Sequence, residues 1–372
     1  MLKILDRYIL KKFLGTFIFS ISLILAIFIV FDVKDKIQTF VTNKIPLREI
    51  IVDYYCMFVP VYANLFSPLF TFISIIFFTS KMAHRTEFVA ILSSGAGFNR
   101  ILKPYIIGAF IIGLTSFLMN HYVIPIANKT KIGFEDKWIN NGYNTDDRNI
   151  HKLMDPNTVL YLESYDNRIN SGFKVSVEKF VNHKQVSMLK AESMIWDSIE
   201  KVWIFRDVFE RKITEQDNLD TLKNTKPIFS EKHTFLPVKK VKLDFAPSDM
   251  WRFESKIETM TSPELKKYIE RETKKGSNNI EFYEVELYRR TSFPFATFIL
   301  TVIGVSISSR KVRGGVGLQI ALGLFLSCIY IMLMYVFTTI ATTGFATPSL
   351  AVWTPNFIFA FVAFYFYRTA QQ

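Results

Sequence analysis

The apolar positions of this chain gather into long uncharged runs, and the polar sequence between them is of two kinds. Runs near the ~20 residues that a bilayer-spanning helix needs cover Phe13–Phe31, Tyr54–Ser80, Pro104–Asn120 and Thr291–Ser309. A longer uncharged tract, Gly314–Tyr367, holds two more, divided where Gly344-Phe345-Ala346-Thr347-Pro348 punctuates a turn. Three spans therefore precede, and three follow, a polar block of some 165 residues (125–289). Within it, from about Thr158 to Phe245, the period falls to two, as in Val159-Leu160-Tyr161-Leu162, Phe173-Lys174-Val175-Ser176-Val177 and Val202-Trp203-Ile204-Phe205. Asn167–Gly172 and Asn182-His183-Lys184 supply turn chemistry between such strands. The expected architecture is an α-helical polytopic membrane protein, six helices arranged three plus three, with an inserted all-β domain of sandwich or jelly-roll type.

Two further helices are expected. Thr261-Ser262-Pro263-Glu264 is a capping-box start with proline in the first turn, and it opens a helix near 262–275 that Gly276 stops. Arg85-Thr86-Glu87-Phe88 opens a shorter one near 84–95, with Phe88, Ile91 and Leu92 apolar and Gly95 as its stop. By pattern alone this second helix is either a docking element for a partner or a strut lying on the bilayer surface. Residues 1–12 read as a basic amphipathic lead-in, with Leu5, Tyr8 and Ile9 on one side. Pro60, Asn64 and Pro68 suggest a kink in the second span. The resulting divisions are 1–126, a β domain at 127–258, a return segment at 259–289 and a second membrane half at 290–372.

Charge orients this layout. The block 125–289 carries 28 Lys and Arg against 27 Asp and Glu, and the rest of the chain 17 against 6. Lys3, Arg7, Lys11, Lys12, Lys81, Arg85, Arg100, Lys103, Arg310, Lys311, Arg313 and Arg368 crowd alternate ends of the spans, opposed only by Asp6 and Glu87. The positive-inside rule then puts both termini in the cytoplasm and the β domain outside it. A first run this long, without a small-residue cleavage site, reads as a signal anchor. Without a basic excess on the soluble block, nucleic acid is excluded as a partner. Cys56 and Cys328 fall in apolar spans, so no disulfide framework is implied, and each reads as a small buried hydrophobe. His151, His183 and His233 are scattered without ligand spacing, so neither a metal nor a cofactor is expected. No nucleotide loop, no HExxH and no G-x-S-x-G motif appears, and intramembrane charge is sparse. The chain is thus expected to be no enzyme, and any transport it performs would draw its energy from another chain.

Several short motifs, in order, resemble the lipopolysaccharide export permeases of the LptF/LptG family over essentially the whole length. They are Leu5-Asp6-Arg7-Tyr8-Ile9, then Arg85-Thr86-Glu87-Phe88 through Gly95 with Arg100-Ile101-Leu102 and Pro104. After these come Pro125, Glu264-Leu265-Lys266-Lys267-Tyr268-Ile269, Arg290, Pro294, and Trp353-Thr354-Pro355-Asn356. The opening motif leans toward the LptG-like branch. The resemblance implies a periplasmic β-jelly-roll, pairing with a related permease subunit, a cytoplasmic ATPase subunit bound beneath, and passage of lipopolysaccharide from the inner membrane to a periplasmic bridge of similar jelly-rolls. It makes the short helix a coupling element: Glu87, flanked by Arg85, would contact the ATPase while Phe88, Ile91 and Leu92 fill a groove on it. Lys34, Lys36, Lys44 and Arg48, between the first two spans, become candidates for the phosphorylated headgroup. Asp32, Asp35 and Glu49 beside them equally fit a balanced, solvated loop. Asp32 also stands where relatives carry a lipid-contacting base. Two other readings stay open: a permease for another lipid or lipoprotein, and a membrane scaffold that recruits partners through its β domain.

Overall fold

A computed structural model describes residues 3–95, 97–139, 149–166, 169–181, 184–216, 228–243, 246–247, 257–275, 280–309 and 315–370. Its helices are α1 (Ile4–Thr42), α2 (Leu47–His84), α3 (Glu87–Ser93), α4 (Phe98–Ile139), α5 (Ser262–Lys275), α6 (Ile280–Ser292), α7 (Phe295–Ser308), α8 (Gly315–Thr342) and α9 (Pro348–Ala370). Five of them are long and apolar enough to cross a membrane. The bent pair α6–α7, which turns by 44° at its break, makes a sixth span if it crosses as one. The chain divides into two compact units.

The membrane unit comprises Met1–Ile132, Ile257–Ile269 and Asn279–Gln372. Its centre is α7, which packs on α2, α4 and α9, while α1 lies mainly against α2 and α4 and α8 mainly against α2 and α9. Lipid tails are as apolar as leucine, so burial alone does not hold such helices together, and close packing around small residues must. Gly304 of α7 lets Phe72 of α2 approach so closely that a Cβ would sit 2.9 Å from its ring. Gly108 of α4 is tighter, because a Cβ there would lie 2.5 Å from the ring of Phe13 on α1. Phe13 is fully buried and already set against Tyr105, so its ring has nowhere to swing. Gly108→Ala is expected to lower stability by roughly 1–3 kcal/mol through overpacking. The purified protein should lose several degrees in its thermal unfolding midpoint, and an unchanged midpoint would show that Phe13 yields.

Helix α1 is continuous from Ile4 through the basic lead-in, with Ile9 fully buried and Leu5 packed against the same core. Cys56 and Cys328 are exposed on the membrane unit, not buried. A membrane helix has no need to hide an apolar thiol from lipid, so the soluble-protein rule fails there. The second helix runs through both Pro60 and Pro68, and a wide turn precedes them at Ile50–Tyr55. Another wide turn, Met119–Val123, lies within α4.

The second unit, Gly133–Lys256 with Glu270–Asn278, holds the inserted β structure. Strands β1 (Ile150–Asp155), β2 (Thr158–Asp166), β3 (Ser171–Val181), β4 (Lys184–Asp197), β5 (Val202–Gln216) and β6 (Ile228–Val241) form one antiparallel sheet. Its order follows the chain from β1 to β6, and it is not closed into a barrel. Alternate residues build the core: Leu160, Leu162, Met194, Trp203 and Phe205 are all fully buried on one face. Gly172 lets β3 pass, since a Cβ there would meet Leu162 at 2.8 Å and Met194 at 3.0 Å. Glu210 of β5 bonds Lys239 of β6 at 2.6 Å and Lys212 at 3.2 Å. The Lys239 bond, joined by that of Lys212, holds its carboxyl below the ordinary range. His183 and the turn positions Asn167 and Asn182 lie outside the described residues.

Candidate functional site

Among the described residues several polar clusters interrupt the apolar membrane unit, and the sequence-derived candidates fall in the first two of them. The first surrounds α3. Lys81 and Ala83 carbonyls accept the backbone N–H groups of Arg85 and Thr86, at 3.1 and 3.2 Å, and so end α2 in a tight turn. Thr86 is forced to φ +60, a conformation that a β-branched residue seldom takes, and α3 begins at the next residue. It stops at Gly95, whose φ of +85 a glycine adopts without strain. Phe88 points inward: it is fully buried in a core of Ile9, Phe13, Met82, Phe98 and Ile101, with Ile91 packed on the edge. The two apolar side chains thus already have a partner within the chain. The Leu92 side chain lies outside the described residues. The opposite edge is open, since Arg85 is exposed and the Glu87 side chain is 36% exposed, 4.0 Å from Arg85.

What fixes this helix is a pair that sequence reading left apart. Asp6, at the start of α1, is buried, and Arg100, at the start of α4, grips it with both arms, at 2.5 and 2.8 Å. The backbone N–H of Lys3 adds a third bond at 2.9 Å. A fork on a carboxylate is geometrically specific as well as strong. It locks α1 to the segment that follows α3. Phe98 stacks near Tyr367 of α9, and Tyr367 bonds Asn99, which ties the last span to the same place.

The second cluster lies at the other end of α1. Lys36 pairs with Asp32 at 2.9 Å, bonds the Tyr54 hydroxyl and lies over the Tyr54 ring at 4.4 Å. Tyr54 and Tyr55 donate to the two oxygens of Asp32, each at 3.1 Å. Of the four basic candidates, Lys36 is therefore engaged within the protein, whereas Lys34, Lys44 and Arg48 are exposed. Successive positions two apart do not share a helix face, which separates Lys34 from Lys36.

The third cluster had no sequence candidate beyond a motif arginine. Arg290 is 4% exposed. It donates to the carbonyls of Met260 at 2.7 Å and Ile257 at 2.9 Å, and through Nε to Glu286 at 3.0 Å. Arg289 takes the other Glu286 oxygen at 2.7 Å. The wide turn in α4 brings His121 to Ser262, 2.7 Å from Nδ1 to Oγ, and Asn120 to Asn64 of α2 at 2.9 Å. Ser262 opens α5, where the expected capping box forms: the Thr261 N–H donates to Glu264 at 2.8 Å and keeps that carboxyl below its ordinary range. The fourth cluster joins Asn356 of α9 to Tyr330 of α8, which donates to it at 2.8 Å, and to the Ser292 carbonyl, to which Asn356 donates at 3.0 Å. The motif residues Asp6, Arg100, Arg290 and Asn356 are thus among those that stitch the spans. A signal was present in each case: a charge or amide beside an apolar run, where it needs a partner.

No curated protein matches the chain by sequence. A family profile, described as lipopolysaccharide export system permease LptF/LptG, matches residues 7–369 and so covers nearly the full length. Together with the multi-pass helices and the inserted open sheet, this match makes the chain a member of the LptF/LptG family, a membrane permease of the lipopolysaccharide export system and not itself a catalyst.

Proposed function

We propose that this permease is the LptG-like subunit of an export complex whose energy comes from a separate cytoplasmic ATPase docked on α3. The observation that carries the docking is the position of Glu87, a partly open carboxylate beside Arg85, on a short helix whose apolar side is anchored inside the chain. A helix fixed from below and polar above transmits a push to α1 and α4 through the Asp6–Arg100 fork. The groove-filling role assigned to Phe88 passes to the exposed edge: a cation on the ATPase pairs with Glu87, and the Phe88 core serves as the lever. The cationic span ends then face the cytoplasm, with the β domain near 127–258 in the periplasm and the return segment at 259–289 between the membrane halves.

The remaining partners follow from what is left uncovered. Helices α1 and α8 are the least buried spans, and their apolar outer faces suit lipid and a related permease subunit. Lys34, Lys44 and Arg48, exposed at one end of α1 and α2, suit a phosphorylated headgroup, with Lys36 holding the local structure. The open edges of the sheet, β1 and β6, suit edge-to-edge joining with a periplasmic jelly-roll bridge protein.

Glu87→Lys tests the docking. The permease should fold and insert normally, because Glu87 holds no buried partner. Copurified ATPase should fall on the order of tenfold or more, as the lost charge pair becomes a repulsion. Normal retention of the ATPase together with normal lipid release would reduce α3 to an interfacial strut.

A further inference from the structure

We infer that the break between α6 and α7 is a working hinge of the transport cycle, and that Asn356 is the positioning residue that holds it in the state seen here. Pro294 has no N–H for the Arg290 carbonyl, so the ladder opens at that point. Beyond it the Ala296 and Thr297 N–H groups turn back to Phe293 and Pro294, each at 3.2 Å, in a tighter turn. The Ser292 carbonyl thereby loses its usual helical donor, Ala296. In lipid such a group must be satisfied by protein. Asn356 meets that need with a side-chain bond from a neighbouring span, itself fixed by Tyr330. A side-chain donor can exchange while the main chain bends, which a backbone ladder cannot.

The two sides of the break belong to different packing groups. On one side α6 is clamped by Arg290 to the segment Ile257–Met260, and Val285 packs with Ala341, Ala351 and Val352 at the turn between α8 and α9. On the other side α7 is seated in the core with Leu300 and Ile303 against Phe72 and Ile76, and Gly113 of α4 closes on Phe298. A direct polar contact from α4 reaches the clamped group, His121 to Ser262, and it starts from a wide turn that can unwind by one residue. Hinges of this kind absorb motion at a few residues while the packed bodies stay intact. Motion at this break would swing α6 with the segment that returns from the β domain against the seated α7.

The inference rests on the ATP-driven reading for its assay, and the experiment has an arm that does not. Pro294→Ala restores the missing donor and should straighten the span. In the assembled complex, hydrolysis should continue while lipopolysaccharide released per ATP falls about fivefold or more. Asn356→Leu, which removes the exchangeable donor, should shift the same ratio, whereas a merely structural role would lower folded yield and leave the ratio of the surviving complex unchanged. An unchanged ratio in both variants overturns the hinge. For the arm without ATPase, spin labels at Glu281→Cys and Val302→Cys, with Cys56 and Cys328 replaced, report the distance across the break in the full chain. A distance distribution that changes when lipopolysaccharide is added supports the hinge, and one that stays fixed in every state overturns it even if both variants fail to fold. A wild-type complex that shifts its label distance yet releases no lipid with ATP would instead remove the ATP-driven reading.

Discussion

Arg290→Met should be among the most damaging single substitutions in this chain, at roughly 3–5 kcal/mol. The guanidinium is 4% exposed and makes three bonds at 3.0 Å or less, to two carbonyls and to Glu286. Methionine fills similar space but leaves the Met260 and Ile257 carbonyls without their donor, each a penalty of about 1–3 kcal/mol. Glu286 retains Arg289 at 2.7 Å, which keeps the total from rising further. Arg290→Lys keeps the charge but not the fork, so it cannot span both carbonyls and the carboxylate at once. It should fall between methionine and wild type. The measurement is the thermal unfolding midpoint of the purified permease, with protease sensitivity near residues 257–262 as the local readout. A methionine variant as stable as the parent would mean that water takes over the arginine's bonds, and that the return segment is held by packing alone.

The legible part of this fold was the part set by solvent. Uncharged runs announced the spans, and alternation in 158–245 announced the sheet, because bilayer and water impose those patterns on single segments. The fourth span shows where such reading thins. Its run Thr291–Ser309 was visible, yet α6 begins at Ile280, among Glu281, Glu284, Glu286, Arg289 and Arg290. Tertiary pairing lets Glu286 and Arg290 go under cover, and that pairing has no local signature. The sheet's connectivity follows the same rule: strand existence is local, but that β1 to β6 pair in chain order is a matter of neighbours. At the candidate site, periodicity showed that Phe88 is apolar but not what it faces, since an amphipathic helix looks the same over a partner, a bilayer or its own core. Lys36 was one of four candidate bases with Asp32 close by in sequence, but the Tyr54 hydroxyl that it also bonds lies eighteen residues on. Sequence order carries local preference well and long-range pairing hardly at all.

A pairing that sequence order hides is also one whose loss should reach function directly. Asp6 and Arg100 are 94 residues apart, and between them lies the whole of α3. Asp6→Ala removes the carboxylate that Arg100 grips with both arms and unties the first turn of α4 from α1. Arg100→Ala leaves the buried carboxylate with a single backbone donor, the N–H of Lys3. Neither change touches Glu87, so the outer edge of α3 stays chemically intact, but its base loosens. Amide exchange across 85–103 should accelerate on the order of tenfold or more in both variants, as local opening no longer has to break the fork. On the proposed docking of an ATPase on α3, hydrolysis should continue while lipid release declines, because a push on α3 would dissipate in the loosened segment. The reciprocal exchange, Asp6→Arg with Arg100→Asp, separates pairing from shape. Partial return of slow exchange and of lipid release would assign the effect to the ion pair, whereas an exchange variant no better than either single one would assign it to the exact packing of the two helix starts. Singles that behave as wild type in both assays would leave Phe88 and its core as the sole anchor of α3.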